Sequence, residues 1–316
     1  MAGALGTGNA VGEAGVRALD LGGYAARLLP AVVVSALAVP AVLALRAGRP
    51  ARSRPLGLGA PSTVAAGLAR GILVTGWCAA LVLAGGTAAG WVRWSGLEPA
   101  ALASFLMGNA LVAVLLEALP EELTLRGQAW ASLRERFGGA VSALGTTTVF
   151  LLVPAASTMV QAGVAHTLGV SAPPVGLAPG GQDPLAYLVL LTVFGLTLVA
   201  ARTAPGRAPL GAAIGAHLAL LSVNRVVFEG DQRSAGWSAS VAPDHAAALE
   251  LACLLATAAA FLGTRLLTFR RGVRARHPVD ARGWGTRQDR RPARSPRAEA
   301  ARVSTANQIA RPGGGR

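Results

Sequence analysis

The chain has 316 residues, of which 53% are hydrophobic and only 14% are charged. In soluble domains, roughly a quarter of all residues are charged. This composition therefore excludes an ordinary soluble globular protein, whose surface needs more charge. The formal net charge of +14 does not indicate nucleic-acid binding, because many of the arginines lie in a segment beyond Leu267. We therefore expect membrane lipids, and no nucleic acid, as partners of the chain.

Residues 1–24 form a short N-terminal segment that precedes the first long apolar run. This segment contains Glu13 and Asp20, and it lacks a basic region followed by a short apolar core. We therefore expect no cleavable signal peptide. Membrane insertion would then depend on the internal apolar runs.

Seven mostly apolar runs follow within residues 25–270, each compatible with a helix that crosses roughly 30 Å of hydrocarbon. The runs are 28–45, 71–92, 100–116, 139–163, 185–201, 209–223 and 246–267. We predict an all-α protein, a polytopic transmembrane bundle of about seven helices. Abundant glycine and alanine would let the helix backbones approach one another closely.

The positions of the arginines predict the orientation of the chain, because short cytoplasmic loops collect basic residues. Basic residues concentrate after the first, third and fifth runs, whereas residues 165–183 contain none apart from a histidine. The chain is therefore predicted to lie in the plasma membrane with its N-terminus outside and its C-terminus in the cytoplasm. The arginines concerned are Arg46, Arg49, Arg52, Arg54 and Arg70, then Arg126, Arg134 and Arg136, then Arg202 and Arg207.

The C-terminal segment, residues 271–316, is rich in arginine, proline, glycine and serine. It has no helical periodicity, so we predict a disordered cytoplasmic tail that faces anionic lipids. The two cysteines, Cys78 and Cys253, both fall inside apolar runs. This placement argues against a disulfide framework and against a cysteine-based metal site.

Ionisable residues within or next to the spans are candidates for function, because charge is costly in hydrocarbon. Glu122 and Arg126 are one helical turn apart, so the arginine can compensate that carboxylate. Glu121 points about 100° away and is left free, an arrangement that suits a general base. Both glutamates could instead belong to the solvated face of a cytoplasmic helix, together with Glu117, Arg134, Glu135 and Arg136, and the spacing alone favours this simpler interpretation.

His217 lies inside the sixth run. A neutral imidazole in that position could ligate zinc. Taken by itself, such a residue is more often a hydrogen-bonded contact between membrane helices. Asn224 lies two turns further along the same helical face, where it could orient or supplement a ligand.

Three stretches of the sequence resemble the CPBP family of CAAX prenyl proteases and bacteriocin-processing membrane proteins. The string EELTLRG, an amphipathic stretch ending in LRERFGG, and an apolar helix with Phe150 resemble the first half of the family. Glu121, Glu122 and Arg126 match its first motif. The stretch VFGLTLVAARTAPGRAPLGAAIGAHLALLSVN resembles the region of its third motif and places His217 on the motif histidine. The resemblance covers roughly residues 100–224.

The resemblance implies an intramembrane metal-dependent endopeptidase that cleaves a membrane-associated protein or peptide. Glu121 would be the general base, with Glu122 and Arg126 supporting it. His217 and Glu122 would bind a divalent metal, expected to be zinc. Prenylated CAAX proteins, bacteriocin precursors and membrane-anchored regulators are all compatible with the family as substrates.

The sequence departs from the family pattern at two positions. The second motif has a histidine four residues after its phenylalanine, whereas here Phe150 is followed at that place by Pro154. The third motif continues to an asparagine, where this chain has Leu221. His166 lies twelve residues beyond Pro154, about 18 Å along a helix, so we do not expect it to substitute. Asn224 keeps the helical face and is the better candidate to replace the missing asparagine, and Phe150 is a further supporting residue.

Two other functions remain open at this stage. The chain could be a catalytically degenerate relative that binds membrane partners without cleaving them, as Pro154 and Leu221 suggest. It could also be a small transporter in which Glu121, Glu122 and Arg126 line an aqueous path, although we find no internal repeat of the kind that transporters carry. The peptidase interpretation requires that the glutamates and His217 meet in one pocket.

Overall fold

A computed structural model describes residues 1–50, 54–171, 173–179 and 182–276. The chain divides into two units, Met1–Gly272 and Val273–Arg316. Of the second unit, only the end of the last helix is described. The predicted C-terminal tail therefore lies outside the described residues from residue 277 onward.

The described residues form ten α-helices, three short π-helical segments and two short strands. In chain order they are α1 (Ala2–Ala18), α2 (Gly23–Ala47), α3 (Pro61–Ala88), β1 (Val92–Trp94), α4 (Pro99–Ala113), π1 (Val114–Ala118), α5 (Leu119–Glu122), π2 (Leu123–Ala129), α6 (Trp130–Arg136), α7 (Gly139–Leu168), α8 (Pro184–Thr203), α9 (Pro209–Val223), π3 (Asn224–Phe228), β2 (Ala239–Val241) and α10 (Pro243–Arg276).

Seven helical stretches are long and apolar enough to cross a membrane. Each overlaps one of the seven predicted runs, so the all-α transmembrane bundle is confirmed and the chain is an integral membrane protein. The second stretch, Pro61–Ala88, begins and ends before its predicted run of 71–92. The third stretch is longer than its apolar run, because α4, π1, α5, π2 and α6 join end to end over Pro99–Arg136. In its charged second half, Glu122 pairs with Arg126 and Glu117 pairs with Arg225.

The exception to the all-α architecture is a two-stranded antiparallel ribbon formed by β1 and β2. Val92 pairs with Val241, and Trp94 pairs with Ala239. The rings of Trp94 and Trp237 stack with their centroids 4.3 Å apart. The ribbon joins the α3–α4 connection to the chain before α10, a long-range pairing that local sequence patterns do not reveal.

The N-terminal segment contains a helix, α1, that the sequence analysis did not predict. Glycines form its contact face: a Cβ on Gly6 would overlap the carbonyl oxygen of Ser157 in α7, and a Cβ on Gly12 would lie 2.6 Å from the Cα of Pro30 in α2. The helix therefore packs backbone to backbone between α2 and α7. A segment so rich in glycine has low intrinsic helix propensity, so tertiary contact decides its structure.

We expect Gly6→Ala to loosen α1 from α7, because the added methyl group meets main-chain atoms that cannot move aside cheaply. Amide hydrogen exchange of residues 2–18 measures this loosening and should accelerate. Gly3→Ala is the matched control, since a Cβ there meets nothing within 4 Å. Equal exchange in the two variants would show that the glycine contact does not hold α1.

Helix α9 lies at the centre of the bundle, and its residues from Leu210 to Leu220 are all buried. One hydrophobic cluster joins it to α8 and α10 through Leu198, Leu220 and Phe261. A second cluster joins it to α2 and the third span through Val42 and Leu123. The residues of α9 are thus fixed by packing on both sides, which matters because this helix carries His217.

Two arginines outside the candidate motifs, Arg49 and Arg70, form hydrogen bonds between different helices and the segments that connect them. Arg49 donates a hydrogen bond of 2.8 Å to the Ser132 hydroxyl, and its guanidinium lies 3.6 Å from the Glu135 carboxylate. Arg70 donates to the carbonyl oxygen of Pro205. The contacts of Arg49 join the segment after the first span to α6, and the contact of Arg70 joins α3 to the segment after the fifth span. The side of the membrane that these segments face stays a prediction.

Candidate active site

A cavity of about 670 Å³ lies among the helices and brings together residues from the third span, α7, α8, α9 and α10. Most of its wall is apolar. Six of the positions singled out in the sequence line it, either as candidate residues or as departures from the family pattern. They are Glu121, Phe150, Pro154, His217, Leu221 and Asn224.

The two glutamates lie on α5, a single turn between the π-helical segments π1 and π2. In a π-helix the carbonyl of Leu115 would pair with the N–H of residue 120, but Pro120 has none. The Ser35 hydroxyl of α2 donates to that carbonyl instead. Such π segments are frequent at functional sites, because they re-aim the side chains that follow.

Glu122 and Arg126 form an ion pair of 3.1 Å in which neither side chain is exposed. Arg126 also donates to the carbonyl oxygen of Gly195 at 3.3 Å, and its guanidinium carbon lies 4.7 Å from the centroid of the Phe150 ring. A buried carboxylate is tolerable only when it is compensated in this way. The alternative interpretation as a solvated helix face is therefore wrong for Glu121 and Glu122, whereas Glu135 and Arg136 further along the helix are exposed.

His217 completes the arrangement from the opposite helix. Its Nδ1 lies 3.1 Å from Oε1 of Glu122, and its ring meets the Phe194 ring edge to face at 4.9 Å. A carboxylate can only accept, so Nδ1 carries a hydrogen and donates to Glu122. Nε2 makes no hydrogen bond with any described residue. The interpretation of His217 as an interhelical hydrogen-bonded residue thus holds, and the residue also lines the cavity.

Glu121 is placed differently from its neighbour. It is 8% exposed and lines the cavity together with His217. Within the described part of the chain it has no hydrogen-bond or ion-pair partner. The structure therefore contains what helix spacing predicts, a compensated carboxylate at Glu122 beside a free one at Glu121.

Asn224 and Phe150, the expected supporting residues, do not contact His217 or Glu122 through hydrogen bonds. Asn224 lines the cavity, but its amide donates to Glu229 at 3.2 Å rather than to His217 or Glu122. Phe150 packs on Arg126 through its ring. His166 is exposed near the end of α7 and is not among the cavity-lining residues, as predicted.

The residues present do not fit a three-ligand metal site as they are arranged. The described ranges contain no group of three histidine, cysteine, aspartate or glutamate side chains that could hold a metal ion. His217 and Glu122 are bonded directly to one another, and the guanidinium of Arg126 already neutralises Glu122. Zinc, with His217 and Glu122 as ligands, stays a prediction, and the chemistry below is derived without it.

A second polar cluster, not predicted from the sequence, lies on the cavity wall. Arg225 in π3 lies 2.5 Å from the Glu117 carboxylate and donates to the Asn109 side chain at 3.0 Å. Glu250 in α10 lines the same cavity and has no hydrogen-bond or ion-pair partner in the described part of the chain. The rule that ionisable residues inside spans mark functional sites would have found Glu117, Arg225 and Glu250.

Comparison with protein families matches residues 103–222 to a family described as type II CAAX prenyl endopeptidase Rce1-like. Comparisons with curated proteins and with solved structures gave no match. The matched residues include Glu121, Glu122 and Arg126 on the third span and His217 on α9, which are the residues that converge. The family match and the resemblance of the motifs together support membership of this chain in the CPBP family.

Proposed function

We propose that this protein is an intramembrane endopeptidase of the CPBP type, with Glu121 as its general base. The observation that carries the proposal is the pairing of a free carboxylate with a compensated one beside an imidazole in a single cavity. Glu122 is held by Arg126 and His217, whereas Glu121 lines the cavity without a partner among the described residues.

In the proposed reaction, Glu121 accepts a proton from a water molecule, whose oxygen attacks the carbonyl carbon of the substrate peptide bond. A tetrahedral intermediate forms, and the C–N bond then breaks as Glu121 returns the proton to the leaving amine. His217 is oriented by its bond to Glu122, so its Nε2 is available to contact the substrate. Arg126 pairs with Glu122 and fixes its position, so that Glu122 holds the imidazole in place.

The cavity favours a substrate with a membrane-associated apolar part, because side chains such as Phe150, Val153, Leu190 and Phe194 form much of its wall. The matched family model names CAAX prenyl endopeptidases, so prenylated CAAX peptides are the first probe to use. Bacteriocin precursors and membrane-anchored regulators are the second and third substrate classes that the proposal covers.

The test is cleavage of a panel of prenylated CAAX peptides and membrane-spanning peptides by the purified protein in lipid nanodiscs, with mass spectrometry of the products. We expect Glu121→Gln to lower kcat by roughly 10²- to 10⁴-fold, the range contributed by a general base. Gln keeps the volume of the side chain, so binding of the peptides should persist.

Glu98→Gln is the matched control for this experiment, because Glu98 is exposed and is not among the cavity-lining residues. It should cleave at the wild-type rate. Equal rates in wild type and Glu121→Gln would disprove the assigned base and would point to a contaminating protease.

A non-cleaving membrane scaffold is the second candidate, and a specific observation favours it. Pro154 and Leu221 line the cavity where the family pattern has a histidine and an asparagine. If the protein only binds peptides, no member of the panel will be cleaved, and wild type and Glu121→Gln will bind them with similar affinity.

The cofactor and the topology are further parts of the proposal. Metal analysis of the purified protein tests the cofactor: one zinc per chain that disappears in His217→Ala would establish His217 as a ligand.

For the topology, we propose the plasma membrane with an external N-terminus, supported by the distribution of arginines. Single cysteines introduced into the loops between the helices can be labelled in intact cells with a reagent that does not cross the membrane. Loops that react lie outside, which measures the orientation.

A further inference from the structure

We propose that Arg202 is a positioning residue that holds the two halves of the site in register. One half is the Glu122–Arg126 pair on the third span, and the other is His217 on α9. The inference rests on the proposed peptidase function, because the geometry that Arg202 maintains is the geometry of that site. The sequence analysis treated Arg202 only as one of the arginines on the cytoplasmic side.

The position and contacts of Arg202 are unusual for an arginine at a helix end. It lies in the last turn of α8 and is only 9% exposed. Its Nε donates to the carbonyl oxygen of Arg126 at 2.9 Å, and one terminal nitrogen donates to the carbonyl oxygen of Leu56, also at 2.9 Å. No carboxylate lies within ion-pair distance among the described residues. Within the described residues, the hydrogen bonds of this buried cation therefore go to backbone carbonyls alone.

The contact with Arg126 is reciprocal. The Arg126 guanidinium donates to the carbonyl oxygen of Gly195, and Gly195 lies seven residues before Arg202 on α8. Seven residues are two helical turns, so both contacts lie on one face of α8. Arg126 is thus held against α8 at its main chain and at its side chain, which fixes the guanidinium that compensates Glu122.

The second contact of Arg202 leads to the helix that carries His217. The loop residue Gly57 follows Leu56, and its carbonyl accepts the N–H of Leu210 at 3.0 Å. That N–H belongs to the first turn of α9, where main-chain donors have no partner within the helix. His217 lies seven residues further along α9, again two turns away.

Gly57 shows how closely this loop fits the guanidinium. Its φ is +88°, in the region that favours glycine, and a Cβ there would lie 2.6 Å from a terminal nitrogen of Arg202. The planar guanidinium reaches two carbonyls on separate segments at once, which a lysine ammonium does not reproduce. Arg202 therefore ties π2, the loop and the start of α9 into one unit.

The test compares Arg202→Gln and Arg202→Ala with the matched control Arg207→Gln. Arg207 is exposed in the turn between α8 and α9, so the control removes the same charge nearby. On the peptide panel we expect kcat of the Arg202 variants to fall by about 100-fold, the loss that a misplacement of roughly 1 Å can cause, with KM nearly unchanged. Methylguanidinium in the buffer should restore part of the kcat of Arg202→Ala.

Amide hydrogen exchange supplies a measurement that does not depend on activity. In Arg202→Gln, exchange should accelerate in residues 54–60 and 123–131 and stay unchanged in α1 and α7. Gly57→Ala should produce the same pattern, and the double variant should add little to either, because both changes break one linkage.

These readouts separate the two proposals. If no peptide is cleaved but local exchange accelerates as described, the peptidase proposal fails and the linkage through Arg202 stands. Wild-type kcat with unchanged exchange in Arg202→Gln would overturn the inference. Faster exchange throughout the bundle, without rescue by methylguanidinium, would also overturn it, since Arg202 would then be a general stabilising residue.

Discussion

Arg126→Met should strongly destabilise the protein and abolish cleavage. The substitution leaves the Glu122 carboxylate fully buried next to an apolar side chain. Breaking a buried ion pair by removing one partner costs about 3–5 kcal/mol, because a charge is left uncompensated. Thermal unfolding of the purified protein in detergent measures the loss, and the peptide panel measures the activity.

A second substitution shows whether uncompensated charge causes the loss. Glu122→Gln combined with Arg126→Met removes both charges, and the amide oxygen of the substituted side chain can still accept from His217. We expect much of the lost stability to return without activity, because replacing a buried ion pair by neutral groups is often tolerated. Arg136→Met is the matched control, since Arg136 is exposed on the same long helix, and it should change stability by less than about 0.5 kcal/mol. Equal losses in Arg126→Met and the double variant would contradict this explanation.

Gly71→Ala is the second change with a large expected effect. Gly71 lies where α3 crosses α9, and a Cβ there would overlap the carbonyl oxygen of Ala212. Gly215 of α9 approaches the carbonyl oxygen of Leu68 in the same way. The added methyl group must push the two backbones apart, at a cost of about 1–3 kcal/mol. Because α9 carries His217, kcat should fall together with the unfolding temperature.

Gly76→Ala is the control for this substitution, on the same helix. A Cβ at Gly76 meets nothing within 4 Å, so alanine should be neutral or slightly stabilising there. If both alanine variants unfold at the wild-type temperature, the close crossing of α3 and α9 is not what holds α9 in place.

The membrane architecture could be predicted from the sequence because the bilayer imposes a simple requirement. Each span must be apolar over roughly 20 residues and must satisfy its backbone internally, so hydropathy alone located all seven. Helix α1 could not be predicted in this way, because Gly6 and Gly12 become contact residues only when α2 and α7 pack against them. Hydropathy did not predict the β1–β2 ribbon either, because its paired residues Val92 and Val241 are far apart in the chain.

The candidate site was predictable to the extent that its chemistry is local. The spacing of Glu122 and Arg126 along one helix predicts their contact, and it leaves Glu121 on a different face. The contact of His217 with Glu122 came only from the resemblance to the CPBP family, since no local pattern relates residues 95 positions apart. Arg202 looked like an ordinary loop arginine, because its partners are main-chain atoms that carry no sequence signal.

By itself, the sequence determined that the chain crosses the membrane, which residues could carry charge inside it, and which of these share a helical turn. Only the tertiary structure decided that Glu121 stays free beside a compensated Glu122, that His217 reaches that carboxylate, and that Arg202 is buried. The physical reason is that hydrophobicity and helix periodicity are properties of single segments. Burial and pairing of charges depend on which helices meet, and that depends on apolar packing and close backbone contacts between segments far apart in the chain.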